Sequence, residues 1–231
     1  MHSRPHRKLS LLALGGTLVF LGCLLALHIL KIRHLPEHMS DFARTQYGLI
    51  FFAGAYAFVL AVVSAMLCLR RTLPRGWSSQ AGIGLLLLAV PFGLLVATFP
   101  VDETGVDTIS GELHQFSVFP LFFFVTAAML ALVPGLRAHE QWRPLANYTL
   151  GLGLLAALAQ TAYQLSEMWL SPLVVGITQR VMVAAILAWF LGVAIVMRRW
   201  PSEVAGEPAP AVAPPPAEAQ PMPAVSEADK Q

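Results

Sequence analysis

Six apolar runs alternate with short polar stretches along the chain, at about 9–32, 47–69, 81–99, 113–133, 145–168 and 177–197. About twenty apolar residues at ~1.5 Å rise cover the ~30 Å hydrocarbon thickness of a bilayer, so each run predicts one membrane-crossing helix. Pro91 and Pro120 fall inside the third and fourth runs, where a proline bends a span without ending it. Gly15, Gly16, Gly22 and Ala26 lie on or near one face of the first run and predict close helix packing. The intervening stretches are a mixed polar loop at 33–46, a basic turn at 70–77, a turn at 134–144 and a short one at 169–176.

The first eight residues carry Arg4, Arg7 and Lys8 ahead of the first run. That run is too long for a secretory h-region of about 7–15 residues and has no small-residue cleavage site at its end. Phe20-Leu-Gly-Cys23 loosely resembles a lipoprotein cleavage box, with Leu21 where a small residue would stand, so the run is expected to stay as a span. At the other end, eight prolines fall between Pro201 and Pro223. Residues 200–231 therefore predict a disordered tail that cannot bury enough apolar surface to offset its ordering entropy, a spacer or a docking segment for a protein partner.

Composition agrees with the pattern. Of 231 residues, 56% are hydrophobic and 12% charged, with a mean hydropathy of +0.65. A soluble domain carries about 25% charged residues, so the fold class expected is all-α membrane, a polytopic six-transmembrane-helix bundle. Cys23 and Cys68 are too few for a disulfide scaffold or a Cys-rich metal site. They sit on the order of 20 Å apart in depth, too far to bridge.

Charge sets the orientation. The N-terminal segment, the turns at 70–80 and 134–144 and the region after 197 hold eleven Lys and Arg; the opposite loops hold Lys31, Arg33, Arg44 and Arg180. The positive-inside rule then places both termini in the cytoplasm. The acidic stretch 99–114, with four carboxylates and no Lys or Arg, becomes the main outer loop.

Polar groups within spans mark function or cavities. Here they gather toward the outer side: His28, Gln46, Tyr47, Gln115, Tyr163, Gln164, Glu167, Gln179 and Arg180. Arg180, one turn inside the last span, calls for an anionic partner, and Asp102, Asp107, Glu112 and Glu167 lie on its side. His114 follows Ser110, a reasonable N-cap, with Glu112 in the first turn complementing the helix dipole. A His28–His114 pair could ligate haem, and His34, His38 or Asp41 with His114 a zinc ion, but no ligand spacing repeats and neither is the expected cofactor. There is no G-x-S-x-G, P-loop, H-E-x-x-H or intramembrane Asp pair.

Phe99-Pro-x-Asp102, Gly111-x-x-His114 and Gly176-x-x-Gln179-Arg180 resemble the bacterial and archaeal membrane family known as domain of unknown function 998, across about residues 9–199. The resemblance implies a six-span protein of the bacterial cytoplasmic membrane and marks Pro100, Asp102, Gly111, His114, Gln179 and Arg180. The expectation is an outward pocket of Asp102, Glu112, His114, Gln179 and Arg180 that binds a polar or anionic group such as a lipid headgroup. Arg180 would be the anion contact. Partners are membrane lipids and not nucleic acid; no metal or cofactor is expected. An enzyme acting on a lipid or isoprenoid-linked substrate and a small transporter are the alternatives.

Overall fold

The computed structural model describes residues 5–31, 38–102, 106–169 and 172–199, which form six α-helices and one 3₁₀ turn. The helices are α1 (Pro5–Leu30), α2 (Gly48–Thr72), α3 (Trp77–Thr98), α4 (Ile109–Ala138), α5 (Arg143–Trp169) and α6 (Pro172–Arg198). No strand occurs among the described residues. The tail expected at 200–231 and the first four residues lie outside them.

Five of the six helices, α1, α2, α3, α4 and α6, are long and apolar enough to cross a membrane. The fifth, α5, has the length but is interrupted by Thr149, Gln160, Thr161, Gln164 and Ser166. Of these, Thr149, Gln160 and Ser166 are buried, while Leu154, Leu155, Leu158 and Leu165 are exposed. Thr149, Gln160 and Ser166 therefore turn inward and these four leucines outward.

Each helix packs on the next in sequence, and α1 packs on α6 to close a ring, with α2 reaching across to α6. The connections from α2 to α3, α4 to α5 and α5 to α6 are at most four residues long and force those neighbours to run antiparallel. A Cβ at Gly16 would lie 2.5 Å from the Ala57 carbonyl oxygen, so α1 and α2 meet backbone to backbone there. Gly15 and Gly22 face open space, so Gly16 alone among the three α1 glycines makes the close approach the sequence predicts for that face. Gly54 packs on Cys23 and Phe20, Gly82 on Leu132 and Ala128, and Gly192 on Tyr148. Between the helices lie Leu86, Met129, Leu132, Trp189 and Phe190, all fully buried, and the Trp189 indole N–H donates to Thr149 Oγ1 at 3.1 Å.

Helix α4 extends beyond its apolar run in both directions. It runs through Pro134, expected to begin a turn, and ends at Ala138. Gly135 explains part of this: a Cβ there would strike Ser79 Oγ, so α3 holds the last turn of α4 by close contact. Arg70 and Arg71, Arg137 and Arg198 sit in the last turns of α2, α4 and α6, where cations complement the helix dipole. One end of the bundle is thus rich in arginine.

At the opposite end, part of the stretch expected as a polar loop is ordered. Met39–Arg44 forms a 3₁₀ turn because Asp41 reaches back to the His38 N–H at 3.2 Å and because Met39 and Phe42 are buried. Phe42 packs with Leu27 of α1 and Phe51 of α2.

Candidate functional site

The loop from α3 to α4 is organised around Pro100, Asp102 and Gly111. Phe99 is extended, the conformation that a following proline favours, and α3 stops at Thr98. Asp102 then folds back: its carboxylate accepts from the Thr108 N–H at 2.7 Å and from the Thr108 hydroxyl at 2.5 Å. Those bonds hold its carboxyl below the ordinary carboxylate range. Thr108, not Ser110, is the N-cap of α4, its Oγ1 accepting from the Gly111 N–H at 3.2 Å. Thr108 takes the cap because Asp102 orients its hydroxyl. A side chain at residue 111 would overlap the Asp102 carboxylate, which is why glycine stands there. These three motif positions build the loop; none of them lines the cavities described next.

Just below the loop, α4 presents His114, buried to 1% exposure. Its Nδ1 meets the Phe99 carbonyl oxygen at 2.6 Å. A carbonyl only accepts, so the proton is on Nδ1. The other ring nitrogen, Nε2, is buried and has no hydrogen-bond partner among the described residues.

His114 stands between two cavities. Above it lies a polar cleft of about 320 Å³, lined by His38, Ser40, Asp41, Gln115, Tyr163, Gln164, Glu167 and Gln179 with Val101, Val118 and Phe119. Below it lies an apolar slot of about 50 Å³ between Phe20, Leu24, Phe51, Phe58, Val96 and Leu121. Ser40, His114, Val118 and Gln179 line both. Gln179 Oε1 accepts from the Met39 N–H at 2.7 Å, fastening the 3₁₀ turn over the slot.

The cleft's charges come from residues brought together across the fold. His38 Nε2 lies 2.5 Å from Glu167 Oε1, and its Nδ1 lies 3.7 Å from Asp41 Oδ2. Asp41 and then Glu167 stabilise the imidazolium, raising the His38 pKa to about 9 despite partial burial. Asp41 is in turn held below its ordinary value: burial pushes the other way, but His38 and Arg44 outweigh it. Arg44 also donates to the Asp102 carbonyl at 2.7 Å, linking the 3₁₀ turn to the α3–α4 loop.

The five residues expected to share one pocket therefore separate. His114 and Gln179 line the junction of the cavities. Glu112 is exposed on the first turn of α4 and borders neither. Asp102 is spent on Thr108. Arg180 turns away from the cleft: its Nε donates to His28 Nε2 at 3.0 Å and its Nη1 to the Gly176 carbonyl at 2.8 Å. Successive residues point about 100° apart around a helix, and here that step puts Gln179 on the cavities and Arg180 on His28. His28 Nδ1 lies 2.7 Å from the Leu24 carbonyl, so both its ring nitrogens are engaged. Among the described residues, no cluster of three His, Cys, Asp or Glu suits a metal ion.

Tyr163 and Gln164 line the cleft although the sequence marks them only as outward polar residues of α5, and Glu167, expected as a candidate partner of Arg180, meets His38 there instead. His38 and Asp41 had a signal too, as acid and imidazole in one short loop, but without a partner that spacing alone could identify.

A family model described as Protein of unknown function (DUF998) matches residues 13–196. Comparison with curated proteins and with solved structures returned no match. The match spans α2 to α5 entire, α1 from residue 13 on and nearly all of α6, with every motif position above, and the chain belongs to the DUF998 family.

Proposed function

We propose that this chain is a six-span protein of the bacterial cytoplasmic membrane, both termini cytoplasmic, that binds the polar head of a membrane amphiphile in the cleft and the start of its chain in the slot. The carrying observation is the junction: a polar cavity and an apolar one share His114 and Gln179, and a buried nitrogen there has no partner among the described residues. Buried polar atoms in native folds are almost always paired, and ligand sites account for many exceptions. The cleft's acids, Asp41 and Glu167, are offset by His38 and Arg44, and Arg180 is engaged by His28, so an uncharged head fits better than an anionic one.

The sixth crossing is supported by α5 itself. Its 27 residues span about 40 Å, more than the hydrocarbon layer needs, with Leu154, Leu155, Leu158 and Leu165 outward and Thr149, Gln160 and Ser166 inward. Reporter fusions at 141 and 170 should report opposite sides of the membrane; the same side at both would remove the sixth span.

A binding role is favoured over transport because Leu86, Met129, Leu132 and Phe190 fill the bundle between the slot and the arginine-rich end. Stabilisation by ligand tests it. Adding extracted membrane lipid to detergent-purified protein should raise Tm, since a ligand bound only to the native state stabilises it. Val118→Phe, which fills the shared wall, should abolish the rise; an equal rise in that variant would refute the site.

A further inference from the structure

The hydrogen-bonding polarity of the junction narrows the ligand further, and this step rests on the amphiphile reading above. With its proton on Nδ1 facing the Phe99 carbonyl, the neutral His114 ring offers a bare lone pair at Nε2, an acceptor. Gln179 supplies the reverse. A backbone N–H can only donate, so the Met39 contact fixes Gln179 Oε1 toward Met39 and leaves the amide NH2 as the donor available at the cavities. One acceptor and one donor thus stand where the polar cleft meets the apolar slot.

We infer that the site selects an uncharged long-chain amphiphile carrying a hydroxyl at the boundary of head and chain, the class of long-chain alcohols. The hydroxyl donates to His114 Nε2 and accepts from the Gln179 amide. An ether, ester or carboxylate oxygen accepts only, which leaves Nε2 unpaired. An ammonium donates only, which leaves the Gln179 amide unpaired. Phe20, Leu24, Phe51 and Phe58 give the first carbons of the chain an apolar wall.

Two probes differing at one group test this: oleyl alcohol and oleyl methyl ether, titrated separately into the full-length detergent-solubilised protein and read by native mass spectrometry. The alcohol should bind at least about tenfold more tightly, the scale of leaving one buried acceptor unpaired. In His114→Asn, whose amide NH2 can replace Nδ1 toward Phe99 while its acceptor Oδ1 falls at the place of the ring Cδ2, short of Nε2, the preference should fall to within about twofold. Equal binding of both probes to the wild-type protein overturns the hydroxyl assignment and leaves the amphiphile reading standing. A tenfold preference surviving in His114→Asn overturns the assignment to Nε2. If neither probe binds, the amphiphile reading falls and this inference with it. The wild-type comparison needs no variant to fold.

Discussion

The His38 imidazole meets the Glu167 carboxylate at 2.5 Å, tying the turn after α1 to the end of α5 across 129 positions of sequence. With the Met39–Gln179 bond, this contact fixes the 3₁₀ turn over the cleft. Because His38 is raised from 6.5 to about 9, its protonated form contributes stability that is fully present below about 6.5 and is lost as pH rises through about 9. Tm measured between pH 6 and 10 should fall on the alkaline side in the wild-type protein. His38→Ala should lower stability near pH 6.5 by on the order of 1 kcal/mol, a figure discounted for the pair's partial exposure, and should flatten that fall. An unchanged alkaline limb in the variant would detach His38 from it.

Gly16 and Gly15 are adjacent and should respond with opposite sign. A methyl at Gly16 meets backbone atoms of Ala57 and Ala61 that cannot yield without moving α2, so Gly16→Ala should cost about 1–3 kcal/mol. Gly15 has nothing within 4 Å of a new Cβ, and alanine there should be neutral or stabilise by up to about 1 kcal/mol through helix propensity. Thermal unfolding of the two variants compares them directly.

Gly111 and Asp102 should be coupled. Gly111→Ala forces the Asp102 carboxylate off Thr108 and should lower Tm, as should Asp102→Ala. The double variant should be more stable than the sum of the two effects implies, since the clash is gone once the carboxylate is removed. Strict additivity in Tm would mean the two residues do not share the contact.

Arg180 and His114 should separate stability from binding. Arg180→Gln breaks the hydrogen bonds to His28 and Gly176 and should cost about 1–3 kcal/mol, while the folded fraction keeps its amphiphile affinity within about twofold. His114→Asn should show the reverse. Loss of binding in Arg180→Gln protein that is still folded would return Arg180 to the ligand.

How much of this was legible in the sequence depends on the range of the forces involved. Long apolar runs are local and strong, so six helices and the arginine-rich end follow from them. Pro134 misled because a proline ordinarily marks a turn, whereas close contact between Gly135 and Ser79 keeps α4 helical through it. Pro100, Asp102, Gly111, His114, Gln179 and Arg180 were visible as motifs, but not their division of labour. Asp102 and Gly111 serve one another, and a 100° step on α6 sends Gln179 to the cavities and Arg180 to His28. The His38–Glu167 pair left no trace in spacing, because it exists only once the helix ring closes.

The most direct test of the central claim, that the joined cavities hold an amphiphile, is native mass spectrometry of the full-length protein purified from membranes in mild detergent. The account predicts a bound species of lipid mass on the wild-type protein that survives moderate collisional activation and is lost from folded Val118→Phe. A wild-type protein carrying no such adduct, or a variant carrying it equally, would contradict the account.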